Sequence, residues 1–379
     1  MDNSASTTAA NSVLLLPDLA LENWHSMNVY AAMLRRYLPA VAPQLQYFFP
    51  PESELEMPLS TGKVALWQRF WARYRTYPAA LQKYDAALVH VLDHSYAHLL
   101  RGRQRRRTVI NIHDLYPIYL MQEKRSIRTY LRRQLLQWVM AHCQQADQVI
   151  TISQFTKSEV IQHLGIEAAR IQVVYLGVDE RFFCPADPLL LADLRQRWQL
   201  PDRTILLHIG GCIARKNVEA ILAAVVALSA TGQAIHFLQV GGKFTQLQQA
   251  FIAKMGIAQL ITQVNYVTDA ELLGVYGLAD VLIFPSLYEG FGLPVLEAMA
   301  AGVPVVTSNT TALPEAAGQA ALLVNPQDVS ALTRAIKQIL EDSSLRAELQ
   351  FAGRQQAANF SWQTTAQAVS QIYESLLVI

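Results

Sequence analysis

Short apolar runs rich in β-branched residues recur along the chain. Longer stretches separate them, with apolar residues falling at i, i+3 and i+4. The runs at 13–16, 45–49, 87–92, 108–112, 148–152 and 171–176 predict six strands, and those at 204–209, 235–240, 262–267, 281–285, 303–308 and 321–324 predict six more. Helical patterns such as NVEAILAAVVALSA and DVSALTRAIKQIL lie between most of them. Strands that are apolar throughout, with helices between, predict parallel sheets covered on both faces. Twelve strands exceed one compact sheet, so the pattern predicts two six-stranded, doubly wound halves. CPADP, at Cys184–Pro188, can continue neither a helix nor a ladder and is the predicted junction, giving an N-terminal domain over 1–185. No fixed-period repeat is present, which argues against a solenoid or propeller.

Composition narrows the function. Of 379 residues 52% are hydrophobic and 16% charged, so a large core can form and wholesale disorder is excluded. With 31 basic and 30 acidic residues, the net charge of +1 argues against a dedicated nucleic-acid binder. The charge is uneven: residues 1–185 carry 20 basic and 15 acidic residues, and 186–379 carry 11 and 15. Cys143, Cys184 and Cys212 have no Cys-x-x-Cys spacing, which excludes a disulfide framework and a cysteine-built zinc site and suits a reducing compartment. The apolar run at 220–228 falls short of the roughly 18 to 20 residues that cross a bilayer, and the polar start lacks the basic flank of a secretory signal, so a cytoplasmic location is expected. The sharpest charge feature is Arg101, Arg103, Arg105, Arg106 and Arg107. One reading is a solvated helix end. Its rival is attraction to an anionic membrane or a lipid diphosphate, placing the protein peripherally at the inner membrane face. The run lacks interleaved aromatics, which disfavours nucleic acid.

The chemistry concentrates in ADVLIFPSLYEGFGLPVLEAMAAGVPVVTS, 279–308. A buried strand ends at Pro285, a glycine loop follows through Glu289, Gly290, Phe291 and Gly292, and Leu293 and Pro294 open a helix. A glycine loop at a helix N-terminus offers free N–H groups to phosphate or hydroxyl-rich ligands. Glu289 in the loop and Glu297, expected on the first turn, supply two acceptors on one wall. Alone, that spacing also fits a solvated loop acid and a dipole-compensating helix acid. In HIGGCIARKN, 208–217, a strand runs into Gly210 and Gly211, and Arg215 and Lys216 precede a helix expected to be capped by Asn217.

These segments resemble the retaining family 4 glycosyltransferases, with Glu289 and Glu297 in place of that family's paired glutamates. TVINIHDLYP at 108–117, ADQVITISQFTKSEV at 146–160 and VVYLGVDERFF at 173–183 extend the resemblance in the same order. It implies the GT-B architecture, two facing Rossmann-like domains with the active site in an interdomain cleft. It implies a nucleotide-sugar domain over 186–358 and, from FSW at 360–362, a C-terminal helix (359–379) crossing back to the N-terminal domain. The implied activity is hexose transfer, of mannose or glucose type, from a nucleotide diphosphate sugar to a hydroxyl acceptor, a saccharide or a lipid-linked glycan. No metal or other cofactor is expected, because no Asp-x-Asp motif or clustered ligand set is present. Lys216 and Arg215 are assigned to the diphosphate, Glu289 to the sugar, Glu297 to the ribose and His113 to the reacting centre. Gly241 and Gly242 are expected as a close-approach turn near the donor. Tyr266 and Val267 would face the base, although an aromatic at a strand end also reads as core.

Relatives often carry an Arg where Gly211 stands, and Gly-Gly where this chain reads DLALENWHSMN with Glu22, Trp24, His25 and Ser26. Ser153 and Asp114 read as helix caps and Asp179 as structural. Epimerase, phosphorylase and non-catalytic nucleotide-sugar binding stand as alternatives.

Overall fold

A computed structural model describes residues 10–22, 24–51, 63–101, 106–120 and 127–378. Twelve strands form: β1 (Ser12–Leu16), β2 (Gln46–Phe48), β3 (Leu88–Val91), β4 (Arg107–Ile112), β5 (Gln148–Thr151), β6 (Ile171–Val173), β7 (Thr204–Ile209), β8 (Ile235–Val240), β9 (Ile261–Val264), β10 (Val281–Phe284), β11 (Val305–Ser308) and β12 (Leu322–Val324). They make two six-stranded sheets, ordered β2-β1-β3-β4-β5-β6 and β12-β11-β10-β7-β8-β9. Every pairing is parallel. The apolar runs explain this: β1, β3, β8, β10 and β11 are buried along their whole length, as parallel strands under helices on both faces must be.

The chain divides into two compact units, residues 1–177 with 362–379, and residues 178–361. The boundary falls eight residues before the expected 185, because VDERFF (178–183) already belongs to the second unit. There Val178 donates its N–H to the Phe360 carbonyl at 3.0 Å, Asp179 caps the short helix Glu180–Phe183, and Phe182 packs edge-on against Tyr276 at 5.6 Å. Asp187 then caps the helix Pro188–Arg197, with Pro188 in its first turn. The expected crossing helix runs Trp362–Leu377 within the first unit. Its Tyr373 hydroxyl reaches His90 Nδ1 on β3 at 2.5 Å, and its Thr365 donates to the Tyr175 carbonyl at 2.8 Å. Among the described residues no helix is long and apolar enough to cross a membrane.

Candidate functional site

Both sheets reverse their winding once. In the second unit the chain builds β7, β8 and β9 outward in one direction, then returns to place β10 on the other side of β7. The carboxyl ends of β7 and β10 therefore flank the switch point, the place where open α/β sheets take their ligands. Arg215 and Lys216 come from the loop after β7 and Glu289 from the loop after β10. Lys216 Nζ lies 2.7 Å from Glu289 Oε1, and Arg215 Nη1 lies 2.8 Å from Oε2. Arg215 also donates to the Tyr288 carbonyl at 3.2 Å, and the Leu287 N–H to the Arg215 carbonyl at 2.7 Å, stitching the loops together. Glu289 is buried. Burial works to raise its pKa, but Lys216 and then Arg215 outweigh it, and the carboxyl titrates below its ordinary range. The pair of cations thus shares one carboxylate, leaving the cluster with excess positive charge.

Sequence reasoning missed the floor of this cluster. His208, near the end of β7, is fully buried, and its Nδ1–H donates to the Ile283 carbonyl of β10 at 2.9 Å. That bond fixes the tautomer and leaves Nε2 as an unpartnered acceptor. The ring stacks on Phe284 at 5.7 Å, and the Lys216 ammonium sits 4.6 Å above the Phe284 ring. Burial, and next the Lys216 charge, push the His208 pKa down to about 4. A neutral imidazole therefore underlies the cation. The one available signal was a polar residue inside the apolar strand TILLHI.

Glu297 lies on the helix Leu293–Ala300, but as its fifth residue and so on the second turn rather than the first. It accepts a 2.6 Å hydrogen bond from the buried Tyr276 hydroxyl. Burial raises its pKa above the ordinary carboxylate value. Asn217 does precede the helix Val218–Ala230, yet its side chain does not cap it. It adopts a left-handed conformation, and its amide donates to the Pro285 and Pro326 carbonyls at 3.1 and 2.7 Å, pinning the β10 loop.

The glycines also meet a packing requirement within the protein. A Cβ on Gly241 would lie 3.3 Å from the Gly210 nitrogen, and one on Gly242 would lie 3.0 Å from Gly211 Cα. The loops after β7 and β8 thus pack backbone on backbone. Gln239 donates to the Gly210 carbonyl at 2.7 Å and Gln263 to that of Gly242 at 2.8 Å. Gly292 has φ +118°, and a Cβ there would meet Leu313 Cδ2 at 2.8 Å. Gly290 and Phe291 are buried, and Phe291 packs on Phe360 at 5.7 Å. Leu293 is partly buried at the helix start. Tyr266 lies beyond the end of β9 and is 78% exposed, so the core alternative for it fails; Val267 beside it is partly buried.

In the first unit the switch point lies between β1 and β3. His113, just past β4, is buried and donates from Nε2 to the Leu92 carbonyl at 2.8 Å, leaving Nδ1 unpartnered; burial lowers its pKa. Around the same strand ends stand three groups not read from sequence. Both carboxylate oxygens of Asp18 are buried without a partner, and burial, then Asp93, raises its pKa well above 3.8. Asp93 lies 3.4 Å from His94. The loop after β1 is anchored: Tyr96 bonds to Leu19 N–H and Glu22, each through its hydroxyl, and Arg73 reaches Glu22 at 3.4 Å. Ser153 caps the helix Gln154–Leu164, Asp114 accepts from the Tyr116 N–H, and Asp179 caps its short helix, all as expected. Arg101 is exposed, Arg106 pairs with Asp85 at 2.7 Å, and Arg107 lies 3.7 Å from Asp147; Arg103 and Arg105 lie outside the described residues. Among the described residues no cluster of His, Cys, Asp and Glu could hold a metal.

Family models match in the same two-part order. Glycosyltransferase Family 4 matches residues 27–182, and Glycosyl transferases group 1 matches 192–356. The chain is 34% identical to the O-antigen chain mannosyltransferase B of Escherichia coli, over 60% of this chain and 60% of that protein. It is 31% identical to a serotype-specific mannosyltransferase of Escherichia coli, over 72% of this chain and 34% of that protein. The matched region therefore spans well under two thirds of these relatives' lengths. In fold it resembles the Anabaena protein HepE, solved with UDP and glucose, at a TM-score of 0.74 and 17% identity, covering 96% of this chain and 100% of that one. The chain belongs to the family 4 glycosyltransferases of the GT-B superfamily.

Proposed function

We propose that this chain is a retaining, metal-independent hexosyltransferase that moves a mannose-type sugar from a nucleotide diphosphate donor to a saccharide hydroxyl. The observation that carries it is the Arg215–Glu289–Lys216 cluster at the winding switch of the second sheet. When the bond between the anomeric carbon and the diphosphate oxygen breaks, negative charge grows on the leaving group. Lys216 and Arg215 are positioned to stabilise it from a water-poor site. The acceptor oxygen bonds to the anomeric carbon on the same face, and its proton passes to the released diphosphate. Glu289, already ionised, orients sugar hydroxyls, and Glu297, steadied by Tyr276, holds the ribose. His113 offers an unprotonated Nδ1 to the reacting sugar. The mannosyltransferase names of the relatives favour mannose and a glycan acceptor, and they do not favour the epimerase or phosphorylase alternative. The HepE complex with UDP favours a uridine donor. Arg101 and Arg107 supply the charge for peripheral contact with an anionic membrane.

The test is a thermal-shift screen with GDP-, UDP- and ADP-sugars, followed by transfer to a mannose oligosaccharide in the presence of a chelator. A donor at 100 times its dissociation constant should stabilise by about 2.7 kcal/mol. The product should keep the donor's anomeric configuration. Inversion, or dependence on added metal, would remove the retaining or the metal-independent part.

A further inference from the structure

Residues 63–83 run as one helical segment: an α-helix at Lys63–Trp71, a π-helical stretch at Ala72–Thr76, and short turns through Lys83. Its inward side is set by Ala72, Tyr77 and Leu81, all buried. The five-residue step from 72 to 77 is the one a π-helical turn accommodates. The outward side is the anomaly. Trp67, Phe70 and Trp71, spaced i, i+3 and i+4, are 72%, 45% and 55% exposed. A water-facing helix normally turns its apolar stripe inward; here it faces out.

The rings continue as a track across the surface. Trp67 meets Phe70 at 6.3 Å, Phe70 meets Tyr74 at 4.7 Å, and Tyr74 meets Trp138 at 6.1 Å. The track ends at a cavity of about 710 Å³ lined by Tyr74, Tyr84, His98, Trp138, Arg101 and Arg106. Charge along the two bordering segments is one-sided, with Asp85, held by Arg106 at 2.7 Å, between them. Residues 63–83 contain five basic and no acidic residues, and residues 94–113 contain five arginines and no acid. A second copy of the chain docking here would set cations against cations, with no acid from either segment to answer them. A surface with exposed tryptophans and a largely basic margin fits the headgroup layer of an anionic bilayer, where indole rings settle and basic side chains meet phosphate.

We propose that this aromatic face is the membrane-docking surface: Trp67, Phe70 and Trp71 enter the headgroup region, and Arg75 and Arg101 contact anionic lipid. It rests on the peripheral contact suggested above and replaces a purely electrostatic one with ring insertion. The full chain should co-sediment with vesicles of phosphatidylcholine and phosphatidylglycerol, but not with phosphatidylcholine alone, and its tryptophan emission should shift to the blue on binding. A Trp67→Ser, Phe70→Ser, Trp71→Ser variant should bind at least about tenfold more weakly while melting as the wild type does. Should that variant fail to fold, Arg75→Gln with Arg101→Gln should give the same loss and abolish the salt dependence. Equal vesicle binding by variant and wild type overturns the proposal, as does a wild-type dimer in sedimentation that the triple variant dissolves. Donor-induced thermal shifts, measured without vesicles, should be unchanged in every variant. Vesicle binding without any donor shift would sink the transferase reading and leave this one standing.

Discussion

The two units wind their sheets alike, each with a switch point beside its first strand, yet the chemistry gathered at the two switches is opposite. At the switch of the second unit the charged groups are engaged, Glu289 with both Lys216 and Arg215 and Glu297 with Tyr276, although His208 Nε2 stays open beneath them. In the first unit the strand ends carry buried polar atoms with open valences, both oxygens of Asp18 and Nδ1 of His113. Topology therefore decides where a site lies, and side chains decide what it meets. A preassembled cation cluster suits a fixed diphosphate, whereas open buried acceptors and acids suit hydroxyl groups that arrive with a substrate.

Variants can break this contrast. The largest effect should come from Lys216→Ala, which should cut transfer by about 10²–10³-fold and abolish the donor thermal shift. His113→Ala should lower turnover by about 10²-fold and leave the donor shift intact; loss of the shift there would erase the distinction between the units. Glu289→Gln leaves two cations without their shared carboxylate and should cost about 3 kcal/mol in denaturant melts.

Acidification should act through the buried histidines His90 and His98, whose pKa burial lowers, and likewise through His208. The folded pKa of His208, about 4, lies below the unfolded value of roughly 6.5, so the unfolded chain binds the extra proton first and stability falls as pH drops through that window. The His208 share of the loss should reach about 3 kcal/mol, and His208→Phe should make the slope shallower by that share. Glu289, with a lowered pKa, adds loss of the same sign at still lower pH. The smallest change should be Tyr276→Phe, raising the donor KM a few-fold through Glu297 and costing about 1 kcal/mol.

The central strands were legible because parallel strands buried on both faces must be apolar throughout. The partly buried edge strands β2, β6, β9 and β12 were legible from their apolar content between helical stretches. The predicted run at 171–176 outlasted β6, and that at 262–267 outlasted β9, since apolar content continues where pairing stops. The cation cluster was legible as well, because a glycine loop after a strand has few other uses. His208, Asp18 and Asp93 were not, since a polar residue at a strand end has no periodicity to betray its partner. The outward turn of Trp67 and Trp71 was hidden for a related reason: helical spacing groups residues on one side but does not say which side meets protein.

The abutting glycines after β7 and β8 have a longer reach. With φ +143° and 3.0 Å between Gly211 Cα and any Cβ placed on it, Gly242 cannot take a side chain unless the β7 loop yields. Over evolutionary time the pair should drift in concert or not at all, so divergence in nucleotide preference should be written elsewhere, at the open rim around Tyr266.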